Sequence, residues 1–151
     1  MAQFFIVVCT ASCSERNGRI NAVGEPQMHD LYQLLKIPLD GRGARLACAK
    51  TQSALDSATA LNKGIALERF DACDILRTDD REPNLPTVLE ILSQKANDIH
   101  ALIVVVDARL AEILPAAFAE LKFKFDIPHV RLKPGQARIV SLREKRADVV
   151  G

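Results

Sequence analysis

Ala101-Leu102-Ile103-Val104-Val105-Val106-Asp107-Ala108 and Phe4-Phe5-Ile6-Val7-Val8-Cys9-Thr10 are the two stretches that decide the fold. Each is an unbroken apolar run that stops abruptly at small and polar residues. Continuous apolar runs of this length suit central strands covered on both faces, as in parallel sheets. Strands of that kind feed helices, and ligands of open α/β sheets bind at their carboxyl ends. A functional site is therefore expected where the two runs break, at Cys9-Thr10 and Asp107-Ala108.

Outward from these runs, the chain alternates strand and helix. A polar loop over residues 10–25 follows the first strand, and Pro26 opens a helix with Met28, Leu31, Leu34 and Leu35 on one stripe. Pro38 ends it, and Gly41-Arg42-Gly43 is a turn. Arg45 to Ala49 reads as the second strand, and Thr51 to Asn62 as a helix stopped by Asn62-Lys63-Gly64. Ile65 to Phe70 reads as a short strand, and residues 71–86 as an excursion over the sheet. Leu85 to Asn97 and Arg109 to Leu121 are helical, the latter despite Pro115. Val130-Arg131-Leu132 and Ala137 to Leu142 flank Lys133-Pro134-Gly135-Gln136, which predicts a closing hairpin. The expected fold is a three-layer α/β/α sandwich, mostly parallel, with an antiparallel edge hairpin. Residues 1–142 form one domain in this reading, and residues 143–151 a charged, frayed tail.

Composition narrows the function. The chain has 151 residues, 48% of them apolar, enough for one domain with its own core. Its 20 basic and 19 acidic residues leave a net charge of +1, which gives no electrostatic reason to bind nucleic acid or an anionic membrane. The N-terminal apolar run is too short for a signal peptide or a span. A cytoplasmic protein is expected. Cys9, Cys13, Cys48 and Cys73 form no C-x-x-C pair, so reduced, buried thiols are expected, not a metal site. No cofactor motif is present.

In element order, apolar pattern and spacing, Phe4 to about Leu142 resembles the histidine phosphatase superfamily, the phosphoglycerate-mutase-like fold. It is most similar to the short bacterial phosphohistidine phosphatases. That family carries Arg-His-Gly at the end of its first strand, Ser-Pro-x-x-Arg-Ala-x-x-Thr after the next, and a second histidine at a late strand end. The resemblance places the first triplet on Val8-Cys9-Thr10 and Ser-Pro on Ala49-Lys50. It places the arginine on Ser53, beside a matching Ala54, and the threonine on Ser57. The second histidine falls on Asp107, and a general acid falls loosely on Asp74.

The implied catalytic set is thus replaced. Phosphoryl transfer through a histidine needs a nucleophilic imidazole inside a cage of cationic donors. Val8 has no side-chain donor, and Ser53 offers one neutral hydroxyl where a guanidinium would grip two oxygens. Asp107 sets a negative charge against the phosphoryl group. That repulsion is on the order of 4 kcal/mol at 4 Å and an effective dielectric of 20. Asp107 is expected to pair with Arg109 or Lys50. His29, His100 and His129 lie at none of the expected strand ends.

A thiol route is the competing reading. Cysteine phosphatases use C-x5-R, but after Cys9 the fifth intervening residue is Glu15, and Arg16 comes one place late. The loop also has no glycine before Gly18 to let amides wrap an anion. Thr10, Arg16, Ala49, Lys50 and Arg109 are the expected pocket-lining residues. Altogether the sequence suggests a catalytically degenerate phosphatase-like protein that binds a small-molecule or protein ligand. The alternative is a phosphatase with a non-standard set built on Cys9 or Asp107.

Overall fold

The computed structural model describes residues 2–13 and 16–151. Strand β1 (Phe4–Cys9) is followed by helix α1 (Gly24–Leu39), and β2 (Ala44–Ala49) by α2 (Gln52–Ile65). A three-residue strand β3 (Asp71–Cys73) runs into a single 3-10 turn (Asp74–Leu76). Then come α3 (Leu85–Lys95), β4 (Ala101–Val106), α4 (Ala108–Phe123), β5 (Ala137–Ser141) and β6 (Arg146–Val150). The six strands form one sheet in the order β3-β2-β4-β1-β5-β6. The first four strands in that order run parallel; β5 is antiparallel to β1, and β6 to β5.

The central pair is as the apolar runs require. All six residues of β4 are fully buried, and so are Phe5 to Val8 of β1. Each such side chain contributes roughly 1.5–3 kcal/mol relative to exposure. Helix α1 packs on α2, and α3 on α4. Phe118 of α4 stacks on Phe5 of β1 with ring centroids 4.1 Å apart, which fixes α4 against the sheet. The helices thus make the two outer layers of a three-layer mixed α/β sandwich. Among the described residues no helix is long and apolar enough to cross a membrane.

Four sequence-based expectations need correction. Ile65 to Phe70 is not a strand. Ile65 ends α2, Ala66 caps it with φ 61°, and pairing begins only at Asp71, inside the expected excursion. Helix α1 starts at Gly24, two residues before Pro26, because the Asn21 side chain accepts from the Gly24 amide and holds the first turn. Val130 to Leu132 forms no strand. The Lys133-Pro134-Gly135-Gln136 turn is present, closed by the Gln136 amide on the Lys133 carbonyl (3.0 Å), but it delivers the chain into β5 and joins no hairpin. The antiparallel hairpin is instead β5–β6, with Ser141 opposite Arg146 and Ala137 opposite Val150. Residues 146–150 are therefore the edge strand of the sheet, where a frayed tail was expected.

Candidate functional site

Strand register builds the site. Cys9 lies opposite Val106 in the parallel β1–β4 pair, and Cys48 opposite Val105 in the β2–β4 pair. Cys9, Val106 and Ala49 therefore end their strands in one row, and Asp107 follows directly. The chain leaves β1 for α1 in one helical layer and leaves β4 for α4 in the other. Adjacent strands whose connections leave to opposite faces form the crevice in which α/β proteins bind ligands. Cys9 and Asp107 thus end neighbouring parallel strands, as the matched apolar runs predict.

Asp107 serves as an anchor there. Its Oδ1 accepts from the Leu110 amide at 3.0 Å and caps α4, and its Oδ2 accepts the Thr78 hydroxyl. The expected ion pair with Arg109 or Lys50 is not what satisfies it. Arg109 gives its guanidinium to Glu82, which holds that carboxyl below its usual range, and Lys50 is exposed. Neutral donors suffice because a capping amide and a hydroxyl reach both oxygens without ordering a long cationic side chain.

Thr78 was not visible as a site residue. It sits in Arg77-Thr78-Asp79-Asp80-Arg81-Glu82, a charged run with no periodicity, yet it is only 9% exposed. Its neighbours tie the run to itself: Arg77 reaches Asp74, Asp79 and Asp80, and Arg81 reaches Asp74 and Asp80. Asp74, the loose general-acid candidate, is therefore engaged by two arginines in this surface network. The strap from residue 77 to 82 joins the β4 end through Thr78–Asp107 and Arg109–Glu82.

On the β1 side, α2 holds the loop. The buried Ser57 hydroxyl accepts from the Ala11 amide (2.9 Å) and donates to the Ser53 carbonyl (2.7 Å). Asp56 accepts from the Ile20 amide, Arg19 and Gln52. Burial pushes the Asp56 carboxyl up, but these donors together hold it below its usual range. Thr51 caps α2, its hydroxyl accepting from the Ala54 amide, and lies 3.5 Å from the Ser53 hydroxyl. The Cys9 amide donates to the Gln136 carbonyl, and the Thr10 amide to the Val106 carbonyl. Thr10 and Ser53 are half-buried, Ala49 and Val8 are buried, and Arg16 is exposed in a turn. The C-x5-R reading passes through Ser14 and Glu15, which lie outside the described residues.

The thiol chemistry is unfavourable. Burial pushes the Cys9 thiol up to about 11, and the charge of Asp107 adds to the rise, against a smaller opposing hydrogen bond with Thr10. At neutral pH the Cys9 thiol therefore stays protonated, whereas the thiolate is the form that attacks phosphorus. Cys48 is likewise pushed up to about 12 by burial, then by Cys73 and Asp71. All four cysteines are free thiols, and the described residues contain no cluster of three or more His, Cys, Asp or Glu side chains suited to a metal. A cleft of about 470 Å3 between α3 and the end of α4, lined by Glu90, Gln94 and Lys122, lies away from this chemistry.

No protein-family model and no curated protein matches the chain by sequence. Solved structures do match in shape. The protein histidine phosphatase SixA complexed with tungstate superposes with a TM-score of 0.72 at 9% identity, covering 98% of this chain and 94% of that one. The putative phosphohistidine phosphatase SixA from Agrobacterium tumefaciens gives 0.65 at 10% identity, over 99% and 98% of the two chains. The alpha-ribazole phosphatase from Shigella flexneri gives 0.66 at 12% identity, over 97% and 94%. The fold is that of the histidine phosphatases. At such identities the likeness carries architecture, and chemistry has to be argued from the side chains.

Proposed function

We propose that this protein is a catalytically degenerate relative of the histidine phosphatases, one that binds a ligand or partner instead of hydrolysing phosphate. The observation that carries the reading is Asp107. The resemblance sets the family's second histidine on this residue, and Asp107 is committed to Thr78 and the α4 cap. A carboxylate there repels a phosphoryl dianion, and its own oxygens are occupied by donors.

The other positions support the same reading. The resemblance sets the family's arginine, histidine and arginine on Val8, Cys9 and Ser53. The Cys9 thiol is kept protonated by burial and by Asp107. Without an imidazole nucleophile and without guanidinium donors at these positions, the charge that develops in phosphoryl transfer loses the partners that the family's chemistry uses.

Purified protein, assayed at neutral pH with an aryl phosphate and with a phosphohistidine peptide, is expected to show no turnover above background. Turnover abolished by Cys9→Ser or Asp107→Asn would overturn the proposal and establish a phosphatase with a non-standard set.

A further inference from the structure

Beside the strand ends, a cleft of about 420 Å3 opens between α1 and the turn that leads into β5. One wall is Gln27, Asp30 and Leu31; the other is Lys133, Pro134 and Gln136. The volume lies in the range of small-molecule sites. The walls close together at one end: a Cβ on Gly135, whose φ is +79°, would lie 2.8 Å from the Gln27 Cβ. A glycine is required there twice over, for the backbone angle and for the approach.

The cleft carries unlike charges on facing walls. Asp30 and Lys133 are both exposed and, among the described residues, neither makes an ion pair with the other or with any third group. The amides between them are held in place. Gln27 Oε1 accepts from the Ser12 amide (2.8 Å), which leaves its Nε2 donor without an acceptor among the described residues. Gln136 is fixed at both ends, its Oε1 by the Lys133 amide (2.9 Å) and its Nε2 by the Gly151 carbonyl (3.2 Å). Leu31 and Pro134 supply apolar surface between the polar groups.

We infer that this cleft binds a small zwitterion, an ammonium and a carboxylate carried on a short apolar body, as in a free amino acid or a dipeptide. The ammonium meets Asp30. The carboxylate meets Lys133 and the spare Gln27 donor, giving charge-assisted hydrogen bonds to both ends. A monopole meets only one of the two charged side chains, so the facing charges select against simple amines and simple acids.

The cleft also touches the candidate site. The Gly135 amide donates to the Cys9 and Thr10 carbonyls (3.3 and 3.2 Å), and Gln27 holds Ser12. Occupancy therefore stiffens the loop after β1 without any contact to Asp107.

Calorimetric titration with leucine, alanyl-leucine, N-acetyl-leucine and leucinamide tests the inference, and leucine against alanyl-leucine separates an amino acid from a dipeptide. The expected result is saturable binding of at least one zwitterion, about tenfold weaker for its blocked derivatives and for Asp30→Asn and Lys133→Ala. Both substitutions are at exposed positions, so the variants fold. Slower amide exchange at Cys9, Thr10 and Gly135 accompanies binding. No binding of either zwitterion at millimolar concentration overturns the inference. So does binding that the blocked derivatives or the two variants leave unchanged. None of these outcomes depends on whether phosphate is hydrolysed.

Discussion

Asp107→Ala separates a structural carboxylate from an incidental one. The substitution strips the N-cap from α4, leaving the Leu110 amide unpaired, at a cost of about 1 kcal/mol. It also strands the Thr78 hydroxyl, 9% exposed, without its acceptor, at a further 1–2 kcal/mol or so. The sum is about 2–3 kcal/mol. For a chain of this size that corresponds to a fall in Tm of roughly 4–12 °C. Asp107→Asn should behave differently. Its amide oxygen caps α4 as well as a carboxylate does, and its NH2 can donate to the Thr78 hydroxyl. That variant should stay within about 1 kcal/mol of wild type. Urea unfolding measures both, with an unchanged m-value confirming that only stability moved. Equal losses in the two variants would show that the negative charge itself is needed. A loss below about 0.5 kcal/mol for Asp107→Ala would show that neither bond matters; either result refutes the reasoning.

Further predictions concern the thiols and the helix layer. Burial pushes the Cys9 and Cys48 thiols up to about 11 and about 12 from an ordinary value of 9.0, so each folded thiol holds its proton longer than the unfolded one. Their contribution to stability is fully present below pH 9 and is lost as pH rises toward 11 and 12. The slope is at most about 1.4 kcal/mol per pH unit for each thiol. Cys9→Ala and Cys48→Ala should each flatten that alkaline decline in pH-dependent urea melts, and an unchanged slope would refute the linkage. Gly64→Ala should destabilise although alanine favours helices, since its Cβ would lie 2.4 Å from the Tyr32 ring. Thermal melts should show a loss of about 1–3 kcal/mol, largely relieved when Tyr32→Ala is added; a gain in stability would show that the ring moves freely.

The strands that carry the site were legible, and the edge was not. β1 and β4 are buried on both faces, so their apolar runs are continuous and cannot be mistaken for loop. β6 is an edge strand whose Arg146, Asp148 and Val149 are exposed, and its charge makes it read as a tail. Pro134-Gly135 is a true turn, but turn chemistry alone does not say which segments it joins. The place beside β5 that Val130 to Leu132 would take in a hairpin is filled, because β5 pairs with β1 on one side and β6 on the other.

Within the site, Cys9 and Asp107 followed from the apolar runs, and Ser57 only from the family resemblance. The contact from the Ala11 amide to the Ser57 hydroxyl was not among the expectations. The partner of Asp107 was out of reach. Thr78 is 29 residues away, and its burial depends on how the strap crosses the strand ends, which no local pattern encodes. A cation was the expected partner because an unpaired buried charge is costly. The helix cap and the hydroxyl meet the same need with groups a sequence does not advertise.

In the proposed reading, Asp107 stands in the phosphoryl position as an internal anion. Calorimetric titration of wild-type protein and Asp107→Asn with sulfate tests it most directly. Weak or undetectable binding to wild type and measurably tighter binding to Asp107→Asn are expected. Equal affinities, or tight sulfate binding by wild type, would contradict it.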